Sequence, residues 1–363
     1  MGMFSSIQAP PLSADKNRYQ LKKLFIFLRR LLEIILIVVF LFVVFNFSLV
    51  SYGISQLKGQ LTIVFRAKPI DEVLADPAFP DSLKQKLKLI EEIKKYAIDS
   101  LGLKATVNYS TLYDQHGKPL LMNLTAAEKF ELKAYTWKFP LLGTVSYKGF
   151  FNFEKGKAEA EVLKNKNYDV EYAPVSAWST LGWFHDPVFS GMLKRNEGQL
   201  AELIMHEMTH ATIYLKSSVD FNENLASAIG ETGAVKFLAS KYGRDSEQLQ
   251  TYNNEQEDYD RFSKLMLAGT KQLASLYKSI ENKPETEKEK LKEELIRKLV
   301  ASLDTIPFHN ARYRTRFEKE ELPNNAYFLS FVRYDSQKEE MKRELSEKYN
   351  GNIQSFLRSF ESK

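Results

Sequence analysis

Seventeen consecutive residues, Ile34 to Val50, carry no charge, and no other feature of this chain restricts its folding as strongly. A helix of that composition is apolar on every side, so it must be covered by protein or by lipid. With Ser51, Tyr52 and Gly53 included the run reaches about 20 residues, the length that crosses a bilayer. Lys16, Arg18, Lys22, Lys23, Arg29 and Arg30 precede it, and the next basic residue is Lys58. That bias keeps the N-terminal side in the cytoplasm. The run exceeds the apolar stretch of a secretion signal and lacks a small-x-small cleavage site, so it reads as uncleaved. The expectation is a basic cytoplasmic tail over residues 1–30 and a single transmembrane anchor over 31–53, with membrane lipid as its partner. Residues 54–363 then form one domain outside the cytoplasm.

Beyond the anchor, the residue inventory narrows the chemistry. The chain has no cysteine, which excludes disulfides, thiolate metal sites and cysteine nucleophiles. Any metal must therefore sit on His, Asp or Glu. Only five histidines exist: His116, His185, His206, His210 and His309. The net charge of +5 comes partly from the cluster ahead of the anchor, so it does not point to nucleic acid as a partner.

The pattern along residues 54–363 predicts an α+β body. LTIVF at 61–65 is strand-like, and a helical turn is expected around Ile70 to Leu74. Asp81 opens an amphipathic helix with Leu83, Leu87, Ile90, Ile93 and Ala97 on one side, and Gly102 stops it. Residues 105–175 are rich in short β pieces, notably TVNYS, TVSYKGFFNF and the alternating Tyr168, Val170 and Tyr172. Residues 190–363 are helical. Within them ENKPETEKEKLKEELIRK carries Leu291, Leu295 and Leu299 on one stripe and reads as a solvated helix.

LAELIMHEMTHATIYLKSS sets His206, Glu207 and His210 in HExxH order, on a segment whose apolar residues recur at helical intervals through Tyr214 and Leu215. Four residues turn about 400° on a helix, so both imidazoles reach one ion. Glu207, one position round, stands beside the ion as general base. Five histidines and 46 acidic residues in 363 give this pattern by chance in fewer than about one chain in a hundred. A catalytic zinc keeps one position for water and needs a third protein ligand. His185 is one candidate. Glu223 is the better one, because FNENLASAIGETGA begins a second helix that returns over the first. Glu231, eight residues on, is a weaker ligand and a candidate outer partner of a metal-bound group. Donors for the oxyanion of peptide hydrolysis are sought among Tyr334, Arg333, His309 and Tyr147. TVSYKGFF is the candidate edge strand beside the cleft, and STLGWFHDP a candidate lining loop.

These segments also carry a resemblance. PIDEVLADP at 69–77, TWKFPLLGTVSYKGFF, STLGWFHDP, the HExxH helix, FNENLASAIG and PNNA at 323–326 resemble the predicted aminopeptidase family of bacterial envelopes, which is gluzincin-like. The resemblance implies a zincin-like metallopeptidase body, zinc on His206, His210 and Glu223, and Glu207 as the catalytic residue. It also implies a bacterial envelope location, here the inner membrane with the catalytic domain in the periplasm. The chain departs from the family at Lys138 and Thr144, where members often carry cysteines, and the 12 residues between His210 and Glu223 are fewer than in the well-known aminopeptidases of the clan. No GxMEN-like segment for a substrate amine is found. The expected function is a zinc-dependent peptidase, an aminopeptidase, acting on peptides or proteins. The alternative is a non-catalytic, metal-stabilised envelope protein that binds partners.

Overall fold

Asn46 breaks the long apolar run. The computed structural model describes residues 14–139, 143–175, 185–215, 218–318 and 321–360. In it, helix α1 (Ala14–Phe45) ends at Asn46 and α2 (Phe47–Arg66) continues at an angle of 94°. The Asn46 side-chain amide donates to Phe42 O at 3.0 Å, the same oxygen that accepts its backbone N–H at 2.9 Å. A side chain that competes for the i−4 carbonyl bends a helix. No single described helix is long and apolar enough to cross a membrane. The bent pair Leu21–Phe45 and Phe47–Arg66 meets that criterion together. The single uninterrupted span expected over 31–53 is thus corrected to two helical arms. LTIVF is corrected as well, since it forms the last full turn of α2.

The chain divides into two compact units, Met1–Lys58 and Gly59–Lys363. In the first, Phe25, Leu36, Phe40 and Phe45 are exposed. In the second, β1 (Lys68–Pro69) leads into α3 (Ile70–Ala75) and α4 (Asp81–Leu101). Leu87, Ile90, Ile93 and Ala97 are buried along one side of α4. Gly102 ends the helix at φ 72°, a left-handed conformation that glycine adopts freely.

The β-rich stretch forms small sheets rather than one large one. β2 (Thr111–Tyr113) lies between β1 and β8 (Val188–Phe189), antiparallel to the first and parallel to the second. β3 (Met122–Glu128) is flanked on both sides by antiparallel partners, β6 (Lys148–Phe150) and β7 (Tyr168–Pro174). β4 (Trp137–Phe139) and β5 (Gly143–Val145) form a separate pair in which Lys138 faces Thr144. TVNYS, expected as a strand, is a turn. A helix, α5 (Phe153–Asn165), also interrupts the stretch, capped by Asn152 accepting from Lys155 N at 3.0 Å. An Asx cap outweighs the β tendency of the preceding KGFFNF.

Among the described residues seven α-helices follow: α6 (Glu197–Thr212), α7 (Val219–Tyr242), α8 (Glu247–Ser279), α9 (Glu285–Ala301), α10 (Asn325–Asp335), α11 (Lys338–Tyr349) and α12 (Ile353–Arg358). The result is a mixed α+β unit in which helix predominates. One apolar core joins α4, α6, α7 and α12 through Ile90, Ile93, Ile204, Met208, Ile229 and Phe356. A second joins α8, α9 and α10 through Phe262, Met266, Leu273, Leu299 and Phe328. α6 and α7 meet almost backbone to backbone. A Cβ on Gly230 would lie 2.8 Å from Glu202 O and 3.3 Å from the His206 Cβ.

PNNA anchors α10. Asn324 caps the helix by accepting from Ala326 N and Tyr327 N, and its side-chain amide donates to Val170 O at 3.0 Å. The buried Asn325 donates to Glu128 O at 2.8 Å and accepts from the Tyr277 hydroxyl at 2.7 Å. The N-terminus of α10 is therefore tied to β3 and β7 and to α8, which fixes where its C-terminal residues Arg333 and Tyr334 fall.

Candidate metal centre

α6 begins at Asn196, whose side chain accepts from Gln199 N at 2.9 Å. It stops earlier than its apolar periodicity predicts. The Thr209 and Thr212 hydroxyls donate back to Met205 O and Met208 O at 2.8 and 2.7 Å, and Ile213 turns extended at φ −145°, ψ 133°. Threonines bonded to their own helix weaken its continuation. The chain is then secured to α7 by Asn222, which accepts from Leu215 N at 2.9 Å and donates to Leu215 O at 2.8 Å. Two residues later Asn224 donates to Asp220 O and Arg333 O, both at 2.7 Å, and accepts from Gln337 N at 2.8 Å. Glu223 stands between these two fixed asparagines, so its backbone is held to the end of α6 on one side and to the end of α10 on the other.

The carboxylate meets the two imidazoles. His206 Nε2 lies 3.2 Å from His210 Nε2. Glu223 Oε2 is 3.4 Å from His206 Nε2, and Oε1 is 3.7 Å from His210 Nε2. One ligand atom from each residue lies within 4.8 Å of the others. Bonds of about 2.0–2.1 Å to a tetrahedral zinc would place neighbouring ligand atoms roughly 3.3 Å apart. The three separations bracket that value, and two nitrogens with one carboxylate are an apt donor set. Two buried atoms beside the cluster, Glu207 Oε2 and His210 Nδ1, have no hydrogen-bond partner.

The electrostatics follow from this crowding. Burial would push the Glu223 carboxyl up, but bonds from both imidazoles and their charge hold it down at about 2. Burial works to lower His206, yet the bond from Glu223 and the charges of Glu207, Glu223 and Glu202 raise it overall. Burial lifts the Glu207 carboxyl above its ordinary value despite the opposing pull of the two histidines.

Of the candidate donors, Tyr147 and Tyr334 are the two whose phenols feel the charge of Glu223. Each keeps an exposed edge, 38% and 39% of the residue. Burial and then the charge of Glu223 raise both phenols, so both hydroxyls stay protonated at neutral pH. Tyr147 occupies the turn between β5 and β6, so TVSYKGFF, expected as one edge strand beside the cleft, is instead split between two separate sheets. Arg333 lies with its guanidinium 5.6 Å from the centre of the Tyr147 ring.

His309 does not join them. Its Nε2 lies 3.2 Å from Glu257 Oε2 and its N–H donates to Asp258 Oδ1, both on α8. Glu231 is not an outer partner of the imidazoles either. Its carboxylate oxygens pair with Lys338 Nζ at 2.7 Å and Lys342 Nζ at 2.8 Å, because position 231 on α7 faces α11. His185 is exposed and outside the cluster. Most of STLGWFHDP, including Trp183 and Phe184, lies outside the described residues.

Two residues at the site were not expected from sequence. Tyr214 packs its ring 6.2 Å from that of His210. Its spacing of four from His210 was a usable signal. Tyr109 takes a left-handed φ of 62° and donates its N–H to Asp186 O at 2.7 Å. Its buried hydroxyl has no partner, and the charges of Glu207 and Asp186 add to the burial that raises it. Nothing local marks Tyr109, since its conformation is imposed by residues far along the chain.

A family model described as "Putative aminopeptidase" matches residues 51–362. Comparison with curated proteins and with solved structures gives no match.

Proposed function

The chain belongs to that aminopeptidase family, and from this premise we propose that it is a zinc-dependent peptidase held at a membrane by its N-terminal helices. The observation that carries the reading is the meeting of His206, His210 and Glu223 at separations suited to one tetrahedral ion, with Glu207 alongside. Among the described residues no fourth protein ligand joins the three, which is the donor set of a site that keeps a place for water. Zinc bound there would supply Lewis acidity toward water and toward a peptide carbonyl.

The chain's own residues account for the proton traffic. Glu207 Oε2, buried and unpaired, takes the proton of the attacking water and later delivers it to the nitrogen of the leaving amine. Its raised affinity for a proton suits a group that must hold one briefly. Tyr147 and Tyr334, both protonated and both within the field of Glu223, donate hydrogen bonds to the oxygen that gains charge. The exposed apolar second half of α1 and the first part of α2 support attachment to lipid, and the basic residues in the first half of α1 support a cytoplasmic N-terminal side, with the peptidase unit across the membrane.

Replacing Glu207 by Gln tests the reading. The expected outcome is full zinc content by elemental analysis with peptide hydrolysis lowered by about 10²–10⁴-fold, the usual contribution of a positioned base. A Glu207→Gln protein that keeps its zinc and its wild-type turnover would overturn the proposal.

A further inference from the structure

Among the described residues, Arg333 has one carboxylate partner, and that one is distant and solvated. The residue is 9% exposed. Its Nη2 donates to Ser146 Oγ at 2.7 Å, and its plane lies over the Tyr147 ring. Among the described residues the carboxylate paired with it is Asp220, 4.0 Å from Nε and with 60% of its side chain exposed. A guanidinium offers five N–H donors in a rigid fork. A buried cation is stable only when closely paired and well hydrogen-bonded. One hydroxyl, one ring face and a distant solvated carboxylate leave most of that fork available to an anion.

The position of Arg333 says which anion. Its carbonyl oxygen accepts from Asn224, the residue next to Glu223. Asp220 precedes Glu223 by three residues on α7, so the two share a face at about 5–6 Å. The guanidinium thus stands about one helical turn from the imidazole–carboxylate cluster. An extended peptide advances about 3.3–3.6 Å per residue, so that gap corresponds to one or two residues of substrate.

Building on the peptidase reading above, we propose that Arg333 anchors the C-terminal carboxylate of a short peptide, placing it one or two residues beyond the bond that is cut. Ser146 and Tyr147 fix the fork in the orientation that a two-oxygen anion accepts. The preferred substrates are then di- and tripeptides with a free carboxylate, whose amino terminus lies equally close to the scissile bond. Longer chains, which carry a neutral peptide group at that place, are poorer substrates.

The test is a matched pair of tripeptides, one with a free C-terminal carboxylate and one amidated, given to the zinc-loaded full-length protein. The expected result is a kcat/KM lower by about 10- to 100-fold for the amide, mostly through KM, as for loss of a charged hydrogen bond. In Arg333→Ala the carboxylate peptide drops to the level of the amide, and Arg333→Lys recovers part of the difference. Equal kcat/KM for the pair in the wild type overturns the anchor, as does a fall in kcat for both peptides in Arg333→Ala. Calorimetric binding of the same pair to Glu207→Gln decides the matter without turnover, and equal affinity there also overturns it. Failure to cut any peptide would count against the peptidase reading, whereas indiscriminate cutting would count against the anchor alone.

Discussion

Glu223 and Glu231 stand eight residues apart on α7, about 12 Å along its axis, and show two ways of keeping a carboxylate inside a protein. Glu231 is neutralised by the fold itself. Lys338, 2% exposed, reaches Glu231 at 2.7 Å, Asp260 at 3.2 Å and Asp335 at 3.3 Å, and Lys342 takes the other oxygen of Glu231. Glu231, Asp260 and Glu339 also come close enough to hold an ion, but two ammonium groups already stand among them. Glu223 instead faces two imidazoles, groups that can bind a metal ion through a ring nitrogen. The contrast teaches that acidity alone does not mark a metal site. What marks a candidate is a carboxylate whose partners could themselves act as metal ligands rather than as counter-ions.

The comparison breaks most visibly at Lys338. Its replacement by Met removes the cation shared by Glu231, Asp260 and Asp335, leaving Glu231 with Lys342 alone, and is expected to cost about 3–5 kcal/mol of stability, read from the urea midpoint. Zinc stoichiometry in the folded fraction should not change. Loss of zinc from Lys338→Met at temperatures where it remains folded would show that the two regions are not separate.

A smaller effect is expected at the other carboxylate. Glu223→Ala should weaken zinc binding by more than about 100-fold, beyond the loss usual for a residue that only supports a ligand. Glu231→Gln should leave zinc affinity intact while lowering the melting temperature. Competition with a chelator measures both, and equal zinc affinities in the two variants would erase the distinction.

The smallest effect sharpens the boundary between the regions. Glu202 on α6 accepts from the Tyr252 hydroxyl at 2.9 Å and from Gln256 Nε2 at 2.8 Å. Burial first, and then the charge of Glu231, push its carboxyl up to about 7. Because the folded state holds this proton more tightly than the unfolded one, the stability contribution is complete below about pH 4.5 and is lost as pH rises through about 7. Glu202→Gln should flatten that decline, seen as the difference between the two unfolding curves. Parallel curves would mean that Glu202 is ionised throughout.

Sequence and structure agree where one periodicity acts alone. The HExxH helix and the return of Glu223 over it were legible because helical geometry and a short connection leave little freedom. The end of α6 was not, because Thr209 and Thr212 bond back to their own helix while Tyr214 and Leu215 keep the apolar rhythm going. α5 was hidden by the aromatic run before Asn152, and the direction of Glu231 by lysines a hundred residues away. Tyr109 shows the limit most plainly. A tyrosine in a left-handed conformation is dictated by its bond to Asp186 and by the packing around it, neither of which is local.

The bare α-carbon of Gly230 has a consequence for which ions can be admitted. With no methyl group as spacer, α6 and α7 behave as calipers locked at one setting, and their jaws are the ring nitrogens and the carboxylate. That setting suits bonds of about 2.0–2.1 Å from four donors. Calcium asks for six to eight oxygens at about 2.3–2.6 Å, which the calipers could reach only by opening. On the zinc reading, discrimination between cations would rest partly on the smallest side chain of the helix pair.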